Sequence, residues 1–250
     1  MENQSFCIDI AGKRIVIRGA TASAKEYCRG YITDLCGEKP DEEITLTPEL
    51  LAFEREQSRL THLKESGKEW NSPEWEIEVL AVYRRIAERM PFYDTVLFHG
   101  SSIAVDDVAY LFTAKSGTGK STHVRLWREY FGNRAVMVND DKPLIRIMPD
   151  GSARVCGTPW MGKHRLGNPL QMPLKAICIL ERGEENRIVR IGKREAYSVF
   201  LQQIYHPYDP AAMAKTVEVM EKMMNRVGLY RLSCNMEPEA ARVAYEGMNL

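Results

Sequence analysis

Two short stretches concentrate the residue types that could do chemistry: "AKSGTGKST" at residues 114–122 and "VNDDK" at residues 138–142. In the first, glycines free successive backbone N–H groups to surround phosphate oxygens, a following helix aims its N-terminus at them, and a lysine reaches the β and γ groups. Ser116, Gly117, Thr118, Gly119, Lys120, Ser121 and Thr122 are the residues such a loop would lay around a nucleotide, with the Ser121 hydroxyl on the Mg²⁺ side. The first glycine of the usual G-x-x-x-x-G-K-[ST] pattern is replaced by Ala114, which is acceptable if its φ stays negative. In the second stretch, Asp140 and Asp141 supply the acid that a phosphate loop needs at the end of a neighbouring strand. Adjacent carboxylates can divide the work, one holding Mg²⁺ and the other taking the proton of an attacking hydroxyl.

These residues need a strand before the loop, a helix after it and a strand before the aspartates. "VAYLFT" supplies the first, "KSTHVRLWREYF", stopped by Gly132-Asn133, the second, and "AVMVN" the third. The runs "TVLFHG" and "SIAV" precede them. Asp106-Asp107 joins "SIAV" to "VAYLFT" as a tight hairpin turn and nothing more. Farther along, "PLIRIM", "SARVCG", "LKAICILER" and "LYRLSCN" read as strands, with helices over "AAMAKTVEVMEKMMNRV" and "EPEAARVAYEGM". Mixed strands and helices without an internal repeat imply an α/β core.

Upstream, "SFCIDIAGKRIVIRG" alternates around Ala11-Gly12 as a hairpin, and "EITLT" is another strand. Thr47 and Pro48 open a helix over "PELLAFEREQ". The polar stretch "THLKESGKEWNS" marks a boundary, giving a small α+β module over 1–70 and a catalytic domain over 71–250. The domain begins with a helix near Pro73 whose apolar stripe is Ile77, Leu80, Tyr83 or Arg84, and Ile86-Ala87, its arginines being solvated. The module carries no motif; strand addition to a peptide, assembly into a homo-oligomer, or covering the core sheet are all open to it.

Thirty-four basic side chains balance thirty-four acidic ones, so no global field draws nucleic acid or an anionic membrane. The start, "MENQSFCIDIAGK", lacks a leader pattern, and no apolar run is long enough to span a bilayer. Six cysteines without a C-x-x-C pair read as reduced and buried, which fits a cytoplasmic protein.

The order "HGSSIAVDDVAYLFTAKSGTGKST", then "VMVNDDKP", resembles the catalytic domain of HPr kinase/phosphorylase, where a histidine-bearing strand, a hairpin, the loop and a paired-aspartate strand follow in turn. It is also similar to the phosphate-loop core of ATP-dependent phosphoenolpyruvate carboxykinase. The match runs from about Thr95 to Lys142. The resemblance implies a mixed β-sheet core of that type. It places His99 beside the transferring phosphate, Lys120 and Ser121 on phosphate and Mg²⁺, and Asp140 and Asp141 as metal-side carboxylate and base, in an order left open. On its residues alone, His99 would be structural.

The departures narrow the activity. Thr122-His123 stands where HPr kinase has an acidic residue, and that family's C-terminal docking segment is missing, so HPr itself is a poor acceptor. The carboxykinase is much longer, which favours phosphoryl transfer over decarboxylation. HPr-kinase-like enzymes found beside ribosomal peptide clusters, which phosphorylate a serine of a precursor peptide, are a relative of comparable size.

Between two strands, "CGTPWMGKHRLGNPLQMP" crowds turn and polar residues, and its Lys163 or Arg165 could meet transition-state charge on the γ-phosphate, with Lys142 and Arg182 as lesser candidates. Trp160 could stack on a ring or plug the core, and "YHPYDP" with His206 reads as a structural turn. The expectation is therefore a Mg²⁺–ATP-dependent kinase acting on an alcohol hydroxyl of a peptide, protein or metabolite. A non-catalytic ATP-binding regulator and a carboxykinase-like lyase are the rivals.

Overall fold

The computed structural model describes residues 4–250, apart from the side chain of Glu65. It divides into two compact units, Met1–Glu88, whose residues 1–3 lie outside the described part, and Arg89–Leu250.

In the first unit, β1 (Gln4–Ile10) and β2 (Lys13–Ala20) form the expected hairpin. Ala11 and Gly12, both at positive φ (54° and 69°), make the two-residue turn that matches strand twist. The alternation buries Ile8, Ile10, Ile15 and Ile17. The sheet is completed by β3 (Ile32–Thr33) and β4 (Glu42–Thr45) in the order β3-β1-β2-β4, with α1 (Ala22–Tyr27) between β2 and β3. Thr47 caps α2 (Pro48–Ser66), its hydroxyl accepting from Leu50 N–H at 3.3 Å. The helix runs halfway into the polar stretch that suggested a boundary and stops where Gly67 turns left-handed at φ 68°. α3 (Glu74–Arg89) follows, and the division between units falls at its end rather than at 70/71. Arg84 is not simply solvated: it donates at 2.6 and 3.0 Å to Glu54, a carboxylate only 1% exposed. A charge that deep needs such a partner.

The second unit is built on nine strands: β5 (Thr95–Leu97), β6 (Ser101–Val105), β7 (Val108–Thr113), β8 (Ala135–Asn139), β9 (Leu144–Ile147), β10 (Ala153–Cys156), β11 (Gln171–Arg182), β12 (Arg187–Arg190) and β13 (Gly228–Cys234). Their order is β5-β9-β10-β11-β7-β6-β8, with β13 joining β11 to β12. The sheet is mixed, since β11 runs parallel to β7 and β13 but antiparallel to β10. A register shift between Leu174 and Ala176 lets β11 change partners along its length.

Helices cover both faces: α4 (Lys120–Phe131) and α7 (Glu239–Asn249) on one, α5 (Lys193–Gln203) and α6 (Pro210–Met224) on the other. The period of two in β7 makes this legible. Ala109 and Leu111 pack with Phe200 of α5 and Met220 of α6, whereas Tyr110 and Phe112 pack with Trp127 of α4 and Ala244 of α7. β7, which leads into the phosphate-loop sequence, is therefore an interior strand between β11 and β6. The six cysteines are all free, but Cys36 is exposed and Cys234 half-buried, against the expectation that all are buried.

Candidate functional site

The loop 114–119 leaves β7 at Thr113 and enters α4 at Lys120. Gly117 and Gly119 stand at φ 77° and 126°, which only glycine adopts without strain. Ala114 is not among the residues at positive φ, so the replaced glycine costs the backbone nothing. Its methyl is instead part of the core around Phe112 and Trp127. No side chain caps the start of α4, which leaves its first-turn N–H groups to a ligand or water. Lys120 folds over the loop, Nζ donating to Ala114 O at 3.1 Å. Burial lowers its pKa, and the nearby Asp141 charge works against that shift. Arg182, at the end of β11, donates to Gly117 O at 2.6 Å and Thr118 O at 3.3 Å, and so braces the loop from outside.

At the end of β8, the fully buried Asn139 turns the chain. Its Oδ1 accepts the N–H groups of Asp141 and Lys142 at 2.9 and 2.7 Å, and its Nδ2 donates to Thr158 O and Oγ1 at 3.1 and 3.0 Å. The two aspartates then part ways. Asp140, 7% exposed, accepts Gly162 N–H at 2.8 Å and Leu166 N–H at 3.3 Å. Burial pushes its pKa up against those bonds.

Asp141 faces cations. Its Oδ1 is 3.4 Å from His99 Nε2 and its Oδ2 3.7 Å from Lys142 Nζ. Burial raises its pKa, but the His99 contact and the charges of Lys142, His99 and Lys120 together outweigh that and hold it below the usual range. Gly100 lets the chain after His99 lie close against β7, because a Cβ there would stand 2.8 Å from Leu111 and 2.9 Å from Phe112 O. Its N–H donates to Asp141 O at 2.9 Å.

Residues 157–170 form a loop bound closely to β8: Asn168 N–H donates to Val138 O at 3.1 Å, and a Cβ on Gly157 would sit 1.9 Å from Asn168 O. Lys163 and Arg165 are exposed on this loop, and it is the backbone around them that reaches Asp140. Trp160 is buried and so plugs the core. His206 binds Leu201 O at 2.6 Å, as a turn residue would.

Beside the loop opens a cavity of about 500 Å³, lined by Gly117, Thr118 and Gly119 together with Leu126, Leu180 and Met236. His123 also lines it. Trp127 Nε1–H donates to His123 Nε2 at 3.0 Å, and burial lowers the His123 pKa to about 3, so the ring is neutral with its proton on Nδ1. The histidine that replaces the expected acidic residue is thus part of the core.

Sequence reasoning missed Gln203, whose Oε1 lies 2.9 Å from His99 Nδ1, and Asn139. Asn139 carried a signal, being the polar residue that ends an apolar strand just before the aspartates. Gln203 carried none. Among the described residues, no group of three or more His, Cys, Asp and Glu is placed to hold a metal by itself, and no helix is long and apolar enough to cross a membrane.

No protein-family model and no curated protein matches the chain. Among solved structures, the Hpr(Ser) kinase/phosphatase from Coxiella burnetii aligns over 60% of this chain and 94% of its own, at 11% identity and a TM-score of 0.34. Similarity at that level adds nothing to the architecture already given by the strand order: an α/β unit on a mixed sheet, with a small N-terminal sheet module beside it in sequence.

Proposed function

We propose that the chain is a Mg²⁺–ATP-dependent phosphotransferase that moves the γ-phosphate to an alcohol hydroxyl of a peptide, a protein or a small metabolite. The observation that carries this reading is the glycine loop with Lys120 at the uncapped start of α4, together with a half-buried Asp141 held between His99 and Lys142. A cation for phosphate and a carboxylate for the hydroxyl then share one site.

The loop amides from Gly117 to Ser121 would bind phosphate oxygens, and Lys120 would leave Ala114 O to neutralise the β and γ groups. The Ser121 hydroxyl is a hard oxygen donor of the kind Mg²⁺ takes, and the ion would spread the charge that develops on the transferring group. Asp141 accepts the hydroxyl proton as the O–P bond forms, with His99 holding its other side. A low pKa suits it, since in a loose transition state the hydroxyl needs orienting more than deprotonating. Asp140 keeps residues 162–166 in place and with them Lys163 and Arg165, the cations available to the γ-phosphate. The cavity beside the loop gives the nucleoside an apolar berth at Leu126, Leu180 and Met236.

A mass-spectrometric screen of cell extract with ATP, comparing the wild type with Lys120→Ala, tests the reading. Some species should gain a phosphate with the wild type alone. If nothing does, and ATP still binds, the chain is a nucleotide-binding regulator. ATP-dependent turnover of oxaloacetate without a phosphorylated alcohol would make it a lyase.

A further inference from the structure

Residues 97–99 and 203–205 lie side by side. His99 N–H donates to Gln203 O at 2.7 Å, Tyr205 N–H donates to Leu97 O at 2.9 Å, and Phe98 forms an antiparallel bridge with Ile204. α5 is anchored by the buried Ala196 and Phe200, and Phe200 meets Phe98 edge-on at 5.4 Å. A rigid helix end therefore delivers the Gln203 side chain to His99 Nδ1 at 2.9 Å, while Nε2 on the far side of the ring faces Asp141 Oδ1 at 3.4 Å.

We propose that Gln203 is a positioning residue: its amide fixes the His99 ring so that Nε2 is presented to Asp141. The functional consequence rests on the phosphotransferase reading. The geometric statement stands without it.

The imidazole χ2 torsion is broad and roughly two-fold, so an unrestrained ring can turn over and point carbon at Asp141. An amide opposite Nδ1 penalises that turn, because the flipped ring sets a carbon against a half-buried polar group and forfeits its hydrogen bond. Glutamine suits the task. Its oxygen accepts from Nδ1–H when the ring is an imidazolium, and its NH₂, turned over, donates to the Nδ1 lone pair when the proton sits on Nε2. In both states Nε2–H points at Asp141. The one state disfavoured is the neutral ring protonated on Nδ1, whose Nε2 lone pair would oppose a carboxylate oxygen. An apolar side chain of the same length would leave the ring free to turn over.

The test is long-range ¹H–¹⁵N NMR of the His99 ring, assigned by its loss in His99→Gln, on the whole chain carrying Gln203→Met or Gln203→Glu. The wild type should show Nε2 protonated in a single ring state. Gln203→Met should broaden or double the ring signals as flipped and unflipped rings interconvert, and Gln203→Glu should restore one ordered state with Nδ1 protonated. In the transfer assay, Gln203→Met should lower kcat about tenfold with KM for ATP unchanged, as losing the partner that orients a functional histidine does. Gln203→Glu should recover most of that loss. Unchanged His99 signals in Gln203→Met, or equal losses in both variants together with a lower melting temperature, would overturn the proposal. Should the wild type transfer no phosphate at all, the functional reading fails while the NMR comparison still decides the role of Gln203.

Discussion

The chain contains two Asp-Asp steps, each directly after an apolar strand of the same sheet, and they have opposite uses. Asp106-Asp107 links β6 to β7 with both residues left-handed, at φ 52° and 64°, and both exposed. Asp106 pairs on the surface with Arg134, whose Nε donates at 3.0 Å, and that partner lowers its pKa. Asp140-Asp141 has no positive φ, lies largely out of water and is met by backbone N–H groups, a histidine and lysines. The residue before each pair explains the divergence. Val105 continues into a hairpin, whose two-residue turn needs two left-handed positions, a conformation Asp tolerates. Asn139 instead caps the next two N–H groups itself and turns the chain under cover. Carboxylates in a turn face water, whereas carboxylates after a buried Asn cap face a site.

If that contrast is functional, the largest effect belongs to Asp141→Asn. It should lower kcat for phosphoryl transfer by about 10²–10⁴ while ATP affinity, read by calorimetry, stays within a few-fold. The matching change Asp106→Asn should leave both untouched. Equal losses from the two variants would erase the distinction.

Next comes Asp140→Ala, which strands the N–H groups of Gly162 and Leu166. Each removed acceptor should cost about 1–3 kcal/mol, visible as a lower urea midpoint. The loop should also be cut faster by trypsin at Lys163 and Arg165. Asp140→Asn keeps one acceptor oxygen and should lose less.

The two members of the functional pair also predict opposite responses to acid. Asp140 has a raised folded pKa, so its contribution to stability is present below the unfolded value, near pH 4, and is lost as pH rises through the folded one. Asp141 has a depressed folded pKa, so its contribution is present above the unfolded value and lost as pH falls through the folded one. Asp140→Asn should therefore make stability fall more steeply on acidification above about pH 4, and Asp141→Asn less steeply below it. Melting temperatures of the free protein between pH 2.5 and 6 on the order of half-unit steps would resolve the two slopes.

The legible parts of this molecule share one property: local pattern and tertiary demand agree. β6 and β7 run apolar as interior strands must, β8 ends in a buried apolar stretch at the sheet's edge, and Gly117 and Gly119 sit where φ requires them. The partition between Asp140 and Asp141 was not legible, because it depends on Gly162 and Leu166, more than twenty residues away in sequence. α5 was legible only as a helical segment of unstated bounds before "YHPYDP", because it opens with Lys193-Arg194-Glu195 behind a glycine cap and buries only Ala196 and Phe200. Missed with those bounds was Gln203, whose value lies wholly in its register against His99. The reach of α2 to Ser66 was hidden by polar composition, since a helix end is set by Gly67 and not by hydrophilicity. Arg84 looked solvated because its partner Glu54 lies thirty positions away, on another helix.

The smallest expected effect returns to the turn. Asp107 occupies the second left-handed position of a two-residue hairpin, where glycine is preferred. Asp107→Gly removes the strain of an L residue at φ 64° but adds freedom to the unfolded chain, and the two nearly cancel. A net gain on the order of 0.5 kcal/mol should remain, seen as a rise of roughly 1–2 °C in melting temperature. Glycine at Asp140 has no left-handed backbone to relieve and strips two N–H groups of their acceptor, so there the same substitution must lower the melting temperature. A glycine that stabilises one Asp-Asp step and destabilises the other would show that backbone conformation separates them. If both glycines destabilise, the Asp107 side chain contributes something that its exposed position does not reveal.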